Sequence, residues 1–245
     1  MNCLVVFLGE TFRMGGQGTR SIGSDESYSE QIKASKSHIS FIEDLKERKC
    51  CSADVYISTY NTKFNSDLLN IYNKVLIGSD FYDERIGYNR LLHNSIGKIK
   101  DLTVYDFVFF SRINICFKDE FLNVFNPGYP NWDKILFPSI CWFRDSKVGN
   151  HPRVNDMMIY IPKRYYNYIK NIAYEAYYDG HRMWYNLIGQ TDLTYDDIDT
   201  MLNTYHDSDS AKDFNPIYYI VNRPICTKHH SEGYIFDKKR IFKEQ

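Results

Sequence analysis

One stretch limits the folds open to this chain more than any other: Tyr105 to Asp119, YDFVFFSRINICFKD. Phe107, Val108, Phe109 and Phe110, joined by Ile113 after a polar break, make a short continuous apolar run. A run of that length without alternation reads as a strand buried on both faces, as in the mainly parallel sheet of an α/β protein. At its carboxyl end the run turns polar at Ser111, Arg112 and Asn114. Open α/β sheets bind ligands outside the carboxyl ends of their strands, so these side chains mark the first place to look for a substrate. A strand end closed by solvated polar groups is the plain structural alternative.

The preceding sequence repeats that layout. MNCLVVFLGETFR supplies a first strand whose apolar core, Leu4 to Leu8, lacks basic residues before it and is too short for a signal h-region. The loop Gly9 to Ser29 then carries Gly15, Gly16, Gly18 and Gly23 beside Arg13 and Arg20. Glycine lets backbone amides approach an anion and arginine grips phosphate with a fork of donors. The composition suits a diphosphate, although the spacing is neither a Walker A nor a GxGxxG motif; a loop with no ligand is the alternative.

Apolar spacing predicts a helix from about Tyr28 to Lys49, with Ile32, Ser35, Ile39, Ile42 and Leu45 inward and His38 beside them in a structural role. Ala53 to Tyr60 is β-branched and alternating, a second strand that ends in Ser58, Thr59, Tyr60 and Asn61. A short helix near Ser66 to Tyr72, a third strand at Lys74 to Ile77 and a helix from Asp83 to Lys100 complete a strand and helix rhythm. Right-handed crossovers then bring the loops after Leu8, Ile57 and Phe110 to one rim.

The second half differs. Phe121 to Asn150 carries Pro127, Gly128, Pro130 and Pro138 among large apolar residues, including Trp132, Trp142 and Phe143, and reads as an irregular packed segment. A strand over Val154 to Ile161 opens with Asn155 and Asp156. Helices are expected over Lys163 to Tyr177, His181 to Ile188 and Tyr195 to Thr204, then an acidic loop, a last strand at Ile217 to Val221 and a basic tail.

Composition narrows the partners. A length of 245 residues suits one large α/β domain or two small ones, and one is the reading here. With 30 basic and 31 acidic residues the net charge is -1, so no global field attracts nucleic acid or an anionic membrane, and local basic groups must meet any anion. No run approaches the ~20 apolar residues of a membrane span. The six cysteines form no CxxC pair, which fits reduced thiols in the cytoplasm rather than a zinc site.

Taken in order, GETFRMGGQGTR, SYSEQIKASKSHISFIEDL, ADVYISTYNT, YDFVFFSRINI and the later NDMMIYIP and FNPIYYIVNR resemble the small GT-A-like glycosyltransferases encoded by large DNA viruses of algae, such as the chlorella-virus enzymes that build capsid-protein glycans. The resemblance covers most of the chain. It implies a single-domain GT-A-like α/β nucleotide-binding fold, a mainly parallel central sheet flanked by helices, with residues 1–118 as the nucleotide-sugar half and 119–245 as the acceptor side. It implies an enzyme of the host cell cytoplasm that moves a hexose or pentose from a nucleotide-sugar donor, a UDP-sugar with UDP-xylose among the candidates, to a glycan of a viral capsid glycoprotein.

On that reading Gly9, Glu10, Arg13, Arg20, Thr59, Asn61, Ser111, Arg112 and Asn114 meet the nucleotide sugar. The chain departs from the family where a GT-A enzyme carries Asp-x-Asp to hold Mn²⁺ or Mg²⁺. That position reads Arg112, Ile113, Asn114, which leaves the metal open and offers a guanidinium for the diphosphate instead. A literal Asp-Ser-Asp at Asp207 to Asp209 falls in the acidic loop, where such runs are usually solvated turns. Asp156 is the candidate general base, against a cap or turn aspartate, and His181 a second candidate for catalysis or sugar contact, against an ordinary helix-start histidine. The missing Asp-x-Asp also supports a second hypothesis, a nucleotide- or glycan-binding protein without turnover.

Overall fold

A computed structural model of the chain describes residues 1–15, 20–141, 147–148, 151–152, 154–172, 183–201, 205–206 and 217–222. His181, Trp142, Phe143, the Asp207 to Asp209 run and the basic tail lie outside the described residues.

The strands are β1 (Asn2–Gly9), β2 (Ser52–Tyr60), β3 (Leu76–Tyr82), β4 (Phe107–Arg112), β5 (Ile115–Phe117), β6 (Ile135–Phe137), β7 (Ile140–Cys141), β8 (Lys147–Val148), β9 (His151–Pro152), β10 (Met158–Pro162), β11 (Ile198–Thr200), β12 (Tyr205–His206) and β13 (Tyr218–Ile220). Seven of them form one sheet in the order β11-β6-β10-β4-β1-β2-β3. β4, β1, β2 and β3 are parallel, β10 runs against both β4 and β6, and β11 is parallel to β6. The organising run is therefore a central strand, with the amino-terminal half on one side and β10 of the second half on the other.

Burial on both faces accounts for its sequence. Phe107 and Phe109 pack with Cys3, Val5 and Phe7 of β1 in one core, and Val108 and Phe110 with Leu4, Val6 and Leu8 in the other. The first core is closed by Phe41, Ile42 and Leu45 of α1 (Tyr28–Lys49), Leu68 and Tyr72 of α2 (Asn65–Tyr72), and Phe121 of α4 (Asp119–Val124). The second is closed by Leu91, Leu92 and Ile96 of α3 (Tyr88–Lys98), Ile169 and Ile172 of α5 (Ile169–Ile172), and Trp184 and Leu187 of α6 (Met183–Ile188). Each such aromatic or branched side chain contributes about 1.5–3 kcal/mol on burial, so the alternation within β4 ties both helical layers to one strand.

Several expected boundaries move, each for a local reason. The third strand spans Leu76–Tyr82, not Lys74 to Ile77; it is an edge strand whose Gly78, Ser79 and Asp80 break the apolar pattern. A Cβ on Gly78 would lie 2.8 Å from the Tyr56 ring, so glycine is what lets the two strands pack there. The helix expected from Asp83 starts at Tyr88, because Gly87 has φ 83 and ψ 160, a non-helical conformation that glycine adopts without strain, while its amide donates to the Tyr60 hydroxyl. Tyr195–Asp197 is a 3-10 turn closed by a Thr194 and Asp197 capping box, and the expected helix gives way to β11, which pairs with β6. Lys163–Tyr168 is likewise 3-10. The strand expected from Val154 begins at Met158, and the last strand pairs with β5 outside the main sheet. Among the described residues no helix is long and apolar enough to cross a membrane.

The inner face of α1 is more polar than spacing suggests. Ile32 and Ile39 are only partly buried, whereas Gln31 and His38 are wholly so. Gln31 accepts from the Phe12 amide and donates to the Ile113 carbonyl at 2.9 Å. His38 stacks on Phe7 with ring centroids 4.1 Å apart, and its two nitrogens lie 2.6 Å from the Tyr72 hydroxyl and the Ile115 carbonyl. A carbonyl only accepts, so Nε2 carries the proton and Nδ1 accepts from Tyr72.

Burial lowers the His38 pKa from 6.5 to about 3, against the opposing backbone hydrogen bond. The unfolded chain therefore takes up a proton that the fold excludes. The stability is present above pH 6.5 and is lost as pH falls toward 3, at about 1.4 kcal/mol per unit. Denaturant titrations at pH 7 and pH 5 should show a loss of about 2 kcal/mol from this group, absent from His38→Gln. An equal loss in the variant would assign the pH dependence elsewhere.

Candidate active site

The parallel strands end on a common rim whose register sets Gly9 beside Thr59, Leu8 beside Arg112 and Met158 beside Ser111. Gly9 has φ 115, a conformation side chains avoid, and through it the chain turns off β1 into Glu10 to Arg13. The Glu10 carboxylate then sits between two guanidinium groups, 3.0 Å from Arg20 and 3.6 Å from Arg13, with 12% of its side chain exposed. Arg13 is buried to 5% side-chain exposure and donates to the Gly15 carbonyl at 3.4 Å. Arg85 donates to the Arg20 carbonyl at 3.3 Å.

Arg112 closes the neighbouring strand. Its backbone amide donates to Met157 at 3.0 Å, which fixes β4 to the segment carrying Asp156. That segment is anchored by Asn155, buried, whose side chain accepts from the Met157 amide and donates to the Tyr218 hydroxyl, both at 2.9 Å. The Arg112 guanidinium forms an ion pair with Asp156 and lies over the Tyr88 ring, 4.8 Å from its centre. The side chains of Arg112 and Asp156 are 22% and 10% exposed. Arg112 Nε and the Tyr88 hydroxyl are buried with no hydrogen-bond partner.

Burial by itself would lower the Arg112 pKa, but Asp156, Tyr88 and Glu10 outweigh it and the net direction is up. The group is a permanent cation in a poorly hydrated place. Burial also pushes the Tyr88 hydroxyl up, with Arg112 opposing and Asp156 adding. Tyr60 is raised by burial too, and it feels both Glu10 and Arg20. Glu10 thus acts on Arg112 as well as on Tyr60, across strand ends that β1 and β4 set side by side.

The sequence-predicted residues divide. Glu10, Arg13 and Arg20 form one ion-paired group just after Gly9, and Arg112 and Asp156 form another at the end of the adjacent β4. Thr59, Ser111 and Asn114, expected as donor contacts, are buried beneath the rim. Thr59 donates to the Gly9 carbonyl at 2.6 Å, and the Asn114 carbonyl accepts from Val221 at 2.9 Å, so these residues shape the strand ends from below. Asn61 is exposed but committed, donating to Asp83 at 2.5 Å and accepting from Asn65 at 2.8 Å. Tyr88, under the Arg112 guanidinium, is not among the sequence-predicted site residues; an aromatic just after Gly87, at a loop-to-helix junction, was the available signal.

The GT-A resemblance implies a divalent metal at this rim. On that resemblance Arg112 takes the place of the first carboxylate, and Ile113 is buried with its amide on the Leu8 carbonyl at 2.8 Å. Both rim carboxylates already face arginines. Among the described residues no three His, Cys, Asp or Glu side chains cluster to hold an ion. The donor set of the described rim residues does not fit Mn²⁺ or Mg²⁺, which take carboxylate and carbonyl oxygens.

No protein-family profile and no curated protein matches the chain in sequence. Solved structures do match in shape. A Desulfovibrio desulfuricans protein assigned as a nucleotide-diphospho-sugar transferase is similar over 81% of this chain and 78% of its own, with 10% identity and a TM-score of 0.50. The catalytic domain of Drosophila β1,4-galactosyltransferase 7 with xylobiose covers 99% of this chain and 81% of its own at 11% identity and TM-score 0.45. The galactosyltransferase LgtC with donor and acceptor sugar analogues covers 82% and 73% at 11% identity and TM-score 0.45. With four parallel strands in the order β4-β1-β2-β3 and helices on both faces, the chain has the α/β fold of the GT-A nucleotide-diphospho-sugar transferases.

Proposed function

We propose that this protein is a glycosyltransferase that moves a sugar from a nucleotide-sugar donor to a glycan acceptor. The observation that carries the reading is the pairing of Arg112 with Asp156 at the carboxyl rim, beside Glu10, Arg13 and Arg20. Glycosyl transfer needs positive charge where the leaving diphosphate develops negative charge, and inversion needs a carboxylate to take the proton of the acceptor hydroxyl. Arg112 supplies the first from a poorly hydrated position, where it acts more strongly than in water. Asp156 supplies the second, held by the Asn155 anchor and by Arg112. A diphosphate that draws on Arg112 weakens its hold on Asp156, which leaves that carboxylate a better base when donor is present.

The finer reading takes the donor as a UDP-sugar, hexose or pentose, and the acceptor as a glycan of a viral capsid glycoprotein, in the host cytoplasm; it rests on the sequence resemblance to the algal-virus enzymes. A second reading has its own support: Asp156 is tied to a guanidinium, which suits a nucleotide- or glycan-binding protein without turnover. Incubating the full chain with a panel of nucleotide sugars and glycan acceptors separates the two. Release of free nucleoside diphosphate supports the transferase; binding without release supports the second reading; neither binding nor release contradicts both.

A further inference from the structure

Glu10 occupies the position an anion would take. Its carboxylate lies between Arg13 and Arg20, and Arg112 feels its charge. Arg112 also keeps a buried Nε donor with no partner, an arrangement that costs desolvation energy unless a ligand completes it. Charge counting points the same way. Among the described residues the two ion-paired groups set three arginines, Arg13, Arg20 and Arg112, against two carboxylates, Glu10 and Asp156, a net positive charge that a bound anion would offset.

We propose that the donor diphosphate is held by Arg13, Arg20 and Arg112 without a divalent metal, and that Glu10 is its built-in stand-in, displaced toward water when the diphosphate binds. Glu10 thereby keeps the arginines oriented in the free protein and sets the donor affinity by competition. Arginine suits the task because its planar fork stays charged and pairs with phosphate oxygens two at a time. The inference rests on the glycosyltransferase reading and adds to it how the diphosphate is held.

The test is calorimetric titration of the full chain with uridine, guanosine, adenosine and cytidine diphosphates, once in EDTA and once in Mn²⁺. At least one should bind in EDTA within about threefold of its affinity in Mn²⁺, a difference of under ~1 kcal/mol. Glu10→Gln should tighten that binding about tenfold in EDTA, the scale of one charge-assisted hydrogen bond released from competition. Binding that disappears in EDTA and returns with Mn²⁺ overturns the proposal and leaves the glycosyltransferase reading standing. Unchanged or weaker binding by Glu10→Gln removes Glu10 from its assigned role. Failure of every nucleoside diphosphate to bind in either condition overturns both the inference and the reading beneath it.

Discussion

Arg112→Ala is expected to weaken nucleotide-sugar binding by about 1.5 to 3 kcal/mol, roughly ten- to more than a hundredfold, the range for a hydrogen bond to a charged group. The side chain ends the central strand, lies over Tyr88 and faces Asp156, so its charge is fixed in place before any ligand arrives. Pre-set charge of this kind loses little entropy when the ligand binds, which is why the loss should fall on affinity. The substitution also strips Asp156 of a partner at 10% exposure, so the variant should unfold at lower denaturant than the parent. Arg112→Lys separates the two effects: it keeps a charge for Asp156 but loses the fork and the stacking on Tyr88, and should recover stability more than donor affinity. Unchanged affinity in a folded Arg112→Ala protein would take Arg112 out of the donor site.

Asp156→Asn is expected to lower sugar transfer by about 10² to 10⁴ while donor affinity is not weakened, the magnitude of a lost general base. The asparagine oxygen can still accept from Arg112, so the Asn155 anchor and the strand pairing around it have no reason to shift. The defect should therefore appear in kcat and leave the donor KM in place. Transfer at the parent rate would mean that another group takes the proton, or that configuration is retained and no base of this kind is needed.

How much of this was legible in the sequence follows from how local each signal is. The central strand announced itself because burial on both faces removes all alternation, and its polar end exposed Arg112 without any knowledge of the fold. β1 and β2 were equally plain. β3 was not, because an edge strand containing Gly78, Ser79 and Asp80 needs no apolar pattern once β2 supplies the pairing. β11 is three residues long and exists through its pairing with β6, far away in sequence. The inner face of α1 was legible at Ser35, His38, Ile42 and Leu45 but not at Gln31, which can be buried only because the Ile113 carbonyl waits for it, and no periodicity reveals that.

The site was legible to the same extent. Charged residues at strand ends could be named, but their pairing could not. Arg112 and Asp156 are 44 residues apart in the chain, and antiparallel β10 sets them face to face. Assigning one to the nucleotide-sugar half and the other to the acceptor half missed that each holds the other. Thr59 and Ser111 carry the right functional groups, yet strand pleating turns them under the rim.

The central claim is that a nucleotide sugar sits on the rim where β1, β2 and β4 end. A crystal structure of the full chain grown with the tightest-binding nucleoside diphosphate tests it most directly. The diphosphate is expected against Arg112 and between Arg13 and Arg20, with the Glu10 carboxylate turned away from both. A nucleotide bound on any other surface, with the Glu10 and Asp156 ion pairs intact, would contradict it.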